Sequence, residues 1–588
     1  MRFMLSLMVG APLALTLAFV SPQAATSQDN TVTLEMYMDL ESVSNPQISP
    51  DGQHIVFTRG GIDKVNDRRY SEVWIMDADG GRKRFLVDGS SPVWSPDGTR
   101  IAFTASGDPS GSQIFVRWMD AEGATSQITR VDRGPGSLQW SPDGTLIAFT
   151  MAVEDAEKWT VSLPPRPDGA SWIEGPKVVD RLNYRSDRRG FVDTSHSHIF
   201  VVPADGGTPR QLTDGEWNHS GPRWAPDGSE IYFSSLREDE ADWMWRESEV
   251  YAVDVNTGAF RQLTSRRGPD SGPVPSPDGR LIAYQGQDWS TDTYVENGLY
   301  VMNTDGSNPR RIAGELGRSL GNLTWAPDGS GLYFNAPMRG NSNVWFAPVQ
   351  GEPEPVTEGN HMLSFTSMDG AGNFTVTVSS YHEPGDIWTF NVRDPERMQR
   401  LTQVNDDVLA RVTMGQVEEI WYKSTGDLDI QGWIIKPPDF DPSRKYPLIL
   451  TIHGGPHGMY GVGFSHRWQN HAAEGYVVLY TNPRGSTSYG QEFGNLIHHN
   501  YPSQDHDDLM SGVDELISRG YIDEDNLFIT GGSGGGVLSS WAVGHTDRFA
   551  AAAVQKPVIN WYSFVLNADG LAFFWRYWFP GKPWDHVE

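Results

Sequence analysis

The chain contains no cysteine. That excludes disulfides, thiolate nucleophiles, cysteine-ligated zinc and a lipidated N-terminal cysteine. Basic residues are outnumbered: 46 Lys and Arg stand against 75 Asp and Glu, a formal charge of −29. Such a balance argues against nucleic acid or anionic membrane as a partner and fits a solvated acidic surface. His498, His499 and His506 cluster, but H-E-x-x-H and comparable ligand spacings are missing, so no metal or other cofactor is expected. One long apolar run stands out, Phe3 to Val20, after Arg2 and before small residues ending at Ala24 and Ala25. Positive start, apolar middle and small-residue exit is the order of a secretory signal, so residues 1–25 are expected to be an export leader, with a periplasmic or secreted product. An uncleaved anchor is the competing reading, since about 18 apolar residues is near the lower limit for spanning a bilayer. Stable membrane association is not expected.

A length of 588 residues exceeds what one core supports, and 38% hydrophobic residues with 22 tryptophans is the composition of a folded protein. Two large domains are expected. From Ser49 the chain repeats itself. Ser49-Pro50-Asp51-Gly52 returns at Ser95–Gly98, Ser141–Gly144, Ala225–Gly228, Ser276–Gly279 and Ala326–Gly329, four of these after a tryptophan. Proline presets φ, aspartate bonds the turn and glycine takes the positive φ of a hairpin. The aspartates are 46, 46, 84, 51 and 50 residues apart, and Thr129, Thr213 and Thr264 each lie 14 residues before the next one. A period of 40–50 residues with β-prone alternation predicts propeller blades. A degenerate copy at Met368-Asp369-Gly370 brings the expected count to seven, over residues 38–410, with an insertion from about Val153 to Ser197 filling the long interval.

Beyond Leu401-Thr402 the pattern changes. Ile420–Tyr422, Gln431–Ile435, Leu448–Ile452, Tyr476–Tyr480, Leu527–Thr530 and Ala551–Val554 are expected strands, and Leu509, Val513, Leu516 and Ile517 form a helical stripe. Strand and helix in alternation predict a parallel α/β-hydrolase sheet over 411–588. The stretch Leu527–Ala542, LFITGGSGGGVLSSWA, has the layout of a nucleophile elbow, with Ser533 at its apex. The bare G-x-S-x-G pattern is weak, since 62 glycines produce it by chance on the order of once. A second copy, Gly317 to Gly321, lacks the strand and helix and is expected to be a loop. His453-Gly454-Gly455-Pro456 follows the Leu448–Ile452 strand, where this fold takes one oxyanion donor. The amides of Gly455 and Gly534 are therefore the expected oxyanion hole. His453 and His457 precede the serine, on the wrong side for the base of this fold.

Four motifs in this order, the SPDG turns, HGGPHG at 453–458, NPRGSTSYG at 482–490 and GGSGGG at 531–536, resemble the prolyl oligopeptidase family of serine peptidases, nearest its acylaminoacyl- and dipeptidyl-peptidase-like branch. The resemblance covers nearly all of the chain after residue 30. It implies hydrolysis of short peptides by an acyl-enzyme route, with the propeller restricting access, and it implies that Arg484 and Tyr489 shape the loop beside the site and that Asp505 and Asp508 match the family's D-x-x-D. The family usually has an aromatic residue after the nucleophile, where this chain has Gly534, and G-Y-G where it has Ser488-Tyr489-Gly490. The acidic stretch Glu238, Asp239, Glu240 and Asp242 is a candidate holder of a substrate's free amine, against the plainer expectation of a solvated loop. Triad partners are expected after Ser533, in the order acid then histidine at strand ends. Asp547, Asp569, Asp585, His545 and His586 do not fit that placement, so the chain is expected to be C-terminally truncated, without triad acid or histidine, and inactive as it stands. The alternative from another class is a propeller interaction protein whose hydrolase domain is vestigial.

Overall fold

The computed structural model describes residues 30–587, apart from 121–122, 156–163, 174–176, 315 and 317–319. The leader at 1–25 and the core of the second G-x-S-x-G pattern, Gly317 to Ser319, lie outside the described residues. Among the described residues no helix is long and apolar enough to cross a membrane.

The first part of the chain is all β. Five four-stranded antiparallel sheets occur, together with an eight-stranded one in which two further groups meet through a single parallel contact, Ser342 against Met362. Each repeated turn joins the first two strands of a sheet or group. In the first sheet it lies between strands Ser42–Ile48 and His54–Asp63, and the degenerate copy at Asp369 lies between Met362–Met368 and Asn373–Ser380. The turn chemistry is local: Ser95 Oγ donates to Asp97 Oδ1 at 2.6 Å, Thr99 N–H reaches the same oxygen at 3.0 Å, and Gly98 takes φ +69°. The tryptophan before four of these turns works between sheets or groups. Trp94 Nε1 donates to Gln47 O, Trp140 to Val93 O, Trp224 to Gln139 O and Trp325 to Val274 O. The first sheet also packs on the last group, where Ile48, Ile55 and Phe57 share a core with Ile387 and Leu401.

In the long interval, strand Leu146–Glu154 pairs in full register with Ser195–Pro203. Residues 155–194 thus connect neighbouring strands of one sheet. They include the small hairpin Arg185–Ser186 with Gly190–Phe191.

The second part is a six-stranded sheet built from β1 (Gln416–Ser424), β2 (Leu428–Lys436), β3 (Tyr446–Ile452), β4 (Val477–Asn482), β5 (Ile522–Gly532) and β6 (Ala551–Gln555). Its order is β1-β2-β4-β3-β5-β6. The last four strands are parallel, while β1 and β2 form an antiparallel edge, a refinement of the wholly parallel sheet expected. The helices are α1 (His466–Ala473), α2 (Gln491–Asn495), α3 (Gln504–Ser518), α4 (Gly534–His545), α5 (Trp561–Asn567) and α6 (Leu571–Tyr577). Leu509, Val513 and Leu516 of α3 are fully buried against Leu450, Leu479 and Ile529, as their spacing requires. On the other side β6 is outermost, and Ala551 to Ala553 are exposed.

Candidate functional site

Strand β5 runs beside β3 with Gly531 opposite Ile452, so the ends of both strands deliver their following loops to one place. After β5 the backbone turns through Ser533, at φ 57° and ψ −118°, directly into α4. The flanking glycines are required by contact. A Cβ on Gly531 would overlap the Gly535 backbone, one on Gly535 would overlap Ile452 O, and one on Gly536 would overlap Gln555 O. Ser533 N–H donates to Gln555 O at 3.0 Å, and its carbonyl accepts from Val537 N–H at 3.0 Å. The side chain is exposed and caps no helix amide.

The 453–458 loop closes over this turn. A Cβ on Gly454 would lie 3.1 Å from Gly532 O, and one on Gly534 would lie 3.0 Å from Gly455 N. Gly534 therefore has no room for the usual aromatic side chain without displacing the HGG loop. Its N–H begins α4 and precedes the helix's own hydrogen-bond pattern. The positive end of the helix favours negative charge at this spot by about 0.3–1 kcal/mol.

The HGG loop rests on the 483–490 loop. His453 Nε2 lies 3.0 Å from Ser486 Oγ, His457 Nδ1–H donates to Gly485 O at 2.9 Å, and Thr487 N–H donates to Gly458 O at 2.9 Å. Burial holds the His453 pKa below its ordinary value, which keeps the ring neutral. Arg484 anchors that second loop. Its guanidinium meets Asp508 of α3 at 2.7 and 2.9 Å, its N–H meets the same carboxylate at 2.8 Å, and Thr425 O accepts at 3.0 Å. Asp508 also accepts from Ser424 Oγ. The D-x-x-D pair is thus buried: Asp508 serves as an ion-pair partner, and Asp505 is pushed up to about 7 by burial, with Ser503 and His506 amides pulling the other way. Tyr489 OH reaches Gln431 Oε1 and lies 2.7 Å from Asn482 Nδ2.

The remaining candidates are brought elsewhere. His545 Nδ1 donates to Trp541 O at 2.8 Å and the ring stacks on that indole at 3.9 Å. Asp569 accepts from Asp187 N–H of the insertion. Asp547, Asp585 and His586 are exposed. Asp242 accepts from Leu182 N, Asn183 N and Asn183 Nδ2 at 3.0–3.3 Å, so its carboxylate holds the insertion in place. Glu238, Asp239 and Glu240 are exposed, as a solvated loop would be.

Two aromatic residues next to the site had no sequence signal. Tyr501 OH donates to Gly534 O at 2.7 Å, and Tyr294 enters from the β part of the chain to lie against His457. A separate cavity of about 670 Å³ opens between the two parts, lined by Glu296, Met338, Arg339, Trp421, Tyr489 and Phe493.

Comparison with known proteins bears on the family and the fold. Residues 462–588 match the model of the prolyl oligopeptidase family, and residues 151–293 match that of the dipeptidyl peptidase IV N-terminal region. The uncharacterized peptidase YuxL of Bacillus subtilis is 30% identical over 570 residues, spanning 93% of this chain and 85% of that protein. Dipeptidyl-peptidase 5 of Porphyromonas gingivalis is 28% identical over 575 residues, spanning 92% and 81%. Among solved structures, the acylaminoacyl peptidase of Pyrococcus horikoshii superposes with a TM-score of 0.78 at 20% identity, over 92% of this chain and 82% of its own. With an N-terminal β domain, an α/β-hydrolase domain and these relatives, the chain belongs to the prolyl oligopeptidase family of serine peptidases, in its dipeptidyl- and acylaminoacyl-peptidase-like branch.

Proposed function

We propose that the protein hydrolyses short peptides through an acyl-enzyme on Ser533, with the amides of Gly455 and Gly534 receiving the oxyanion. One observation carries this reading: an exposed serine sits at positive φ on a strand-to-helix turn, with the HGG loop so close that a Cβ on Gly454 would lie 3.4 Å from the serine Cβ. Attack by the hydroxyl on a peptide carbonyl places negative charge on the carbonyl oxygen, and preorganised amides at that point contribute about 3–4 kcal/mol each. Collapse of that intermediate expels the amine and leaves the acyl group on the serine until water removes it.

The hydroxyl needs a base. Among the described residues, His453, His457 and His545 direct hydrogen bonds to other partners. The proposal therefore assigns the triad acid and histidine to none of the described residues. The β part, 38–410, is proposed as a seven-bladed propeller that limits access to larger substrates, and 411–588 as the hydrolase domain. The shared core between the first sheet and the last group supports closure of such a ring. Peptide substrates of the dipeptidyl or N-acylated kind follow the names of the relatives, and export follows the 1–25 pattern. N-terminal sequencing of the mature protein tests the last point, with a start near Ala25 expected.

A fluorophosphonate probe tests the site. Labelling of the full-length protein at Ser533, lost in Ser533→Ala, is expected. An unlabelled, folded full-length protein would leave a propeller interaction module with a vestigial hydrolase as the better reading.

A further inference from the structure

The segment 287–297 links strands Leu281–Gly286 and Gly298–Asn303 of the β domain, yet its backbone and the Thr293 hydroxyl are bonded to side chains of the hydrolase domain. Tyr294 N–H donates to Asn495 Oδ1 at 3.1 Å and Asn495 Nδ2 donates back to Tyr294 O at 2.7 Å. Thr293 Oγ1 lies 2.6 Å from His498 Nδ1, and Glu296 N–H donates to Gln491 Oε1 at 3.2 Å. These anchors fix where the Tyr294 ring goes. It is 1% exposed, and it occupies the space beside Gly494 so fully that a Cβ there would overlap Tyr294 Cδ1.

That ring lies against His457. The two centroids are 5.2 Å apart at 36°, and Trp578 also lies against His457, with centroids 5.6 Å apart. His457 belongs to the HGGPHG turn, and its Nδ1–H donates to Gly485 O at 2.9 Å. Because a Cβ on Gly455 would lie 2.6 Å from His457 N, the two residues are in immediate backbone contact. Any shift of His457 must move the peptide that carries the Gly455 amide. The contact thus runs from a β-domain loop, through two rings, to the oxyanion loop.

We infer that Tyr294 is a positioning residue for the reaction: supplied by the β domain, it clamps His457 and so aligns the Gly455 amide, which makes the oxyanion hole complete only when the two domains are docked. This rests on the assignment of Gly455 as an oxyanion donor. It adds that the alignment is imposed from outside the hydrolase domain. A 1 Å misplacement of such a group is enough to cost on the order of 10²-fold in rate.

The test uses the full-length protein with Tyr294→Ala and Tyr294→Phe, beside Ser533→Ala. Two readouts are taken: steady-state kinetics on a short peptide amide, and hydrogen exchange of the amides at 454–458 and 487. For Tyr294→Ala the expected result is kcat down on the order of 10²-fold, KM changed by less than about threefold, and exchange at those amides faster by about tenfold or more. Tyr294→Phe keeps the ring and should rescue both. The inference is overturned if Tyr294→Ala keeps kcat within about twofold of the parent, or if exchange at 454–458 and 487 is unchanged. Should Tyr294→Ala fail to fold, Tyr294→Leu is measured against the same two criteria. The Ser533→Ala control separates the two levels: if it retains activity, the underlying site reading is wrong, whereas loss there with an indifferent Tyr294→Ala sinks only this inference.

Discussion

A side chain held at positive φ costs about 1–3 kcal/mol, and Ser533 carries that strain at φ 57°. Glycine relieves it while losing about 0.5–1 kcal/mol to chain entropy. Ser533→Gly is therefore expected to raise stability by about 1 kcal/mol in denaturant unfolding while abolishing probe labelling. A drop in stability would show that the serine side chain has a packing role. Asp505 gives a second residue-level expectation. Its folded pKa is raised to about 7, mainly by burial, whereas an unfolded aspartate titrates near 4. Between those two pH values the folded state binds more protons than the unfolded one, so this group makes stability fall as pH rises from about 4 to about 7. Asp505→Asn should flatten that slope, leaving the variant relatively more stable at pH 8 than at pH 5. Melting temperatures at the two pH values check it, and an unchanged slope would refute the burial argument. The strand-to-helix turn at Ser533 and its need for glycines were legible because an apolar strand, a run of small residues and a helical stripe leave little other choice. The burial of Asp505 was not, since its neighbours come from distant turns and the sequence shows only an acid in the first turn of a helix.

At the scale of elements, the repeats were legible for the same reason that they fold: each turn is a self-contained set of bonds within five residues. The phase was legible too, but the job of its second marker was not. Thr129, Thr213 and Thr264 each use Oγ1 to accept a backbone N–H from the third strand of their sheet, from Ile114, Ile199 and Val250 at 2.8–2.9 Å. Thr357 and Thr402 do the same for Val344 and Ile387, although their surrounding phrase has drifted. A hydroxyl thus continues the ladder where the short fourth strand ends. Thr129→Val keeps the shape and leaves the buried Ile114 N–H without that acceptor, so it is expected to cost about 1–3 kcal/mol. Denaturant unfolding of the variant checks this, and a loss below about 0.5 kcal/mol would mean that the ladder closes another way. The antiparallel β1–β2 edge of the hydrolase sheet was missed as a direction. Its strands were found, but apolar alternation reports burial and says nothing about which way a strand runs.

For the whole molecule, the docking of the two domains left no trace in the sequence pattern, because segment 287–297 has neither periodicity nor turn chemistry. Its bonds nevertheless make a specific demand on protonation. Thr293 N–H donates to His498 Nδ1 at 3.0 Å and Thr293 Oγ1 lies 2.6 Å from the same nitrogen, so His498 must accept there and hold its proton on Nε2. The groups around it are Asp292, which favours the charged ring, Arg246, which disfavours it, and the stacked ring of His499 at 3.8 Å. Desolvation outweighs the Asp292 attraction and lowers the His498 pKa below its ordinary value of 6.5. A lowered value in the docked state means that the undocked state binds the proton more readily. Docking is then at full strength above the ordinary histidine range and weakens as pH falls below it. When Nδ1 is protonated the bond from the Thr293 N–H is lost, and the Thr293 hydroxyl must turn from donor to acceptor. Small-angle scattering at pH 7.5 and pH 5 should show an expanded molecule at the lower pH, and proteolysis between the domains should quicken in step. His498→Asn places a permanent acceptor near the Nδ1 position and removes the titration, so its scattering should be the same at both pH values. An expansion at pH 5 that persists in His498→Asn would mean that other groups open the interface and that this histidine is a bystander.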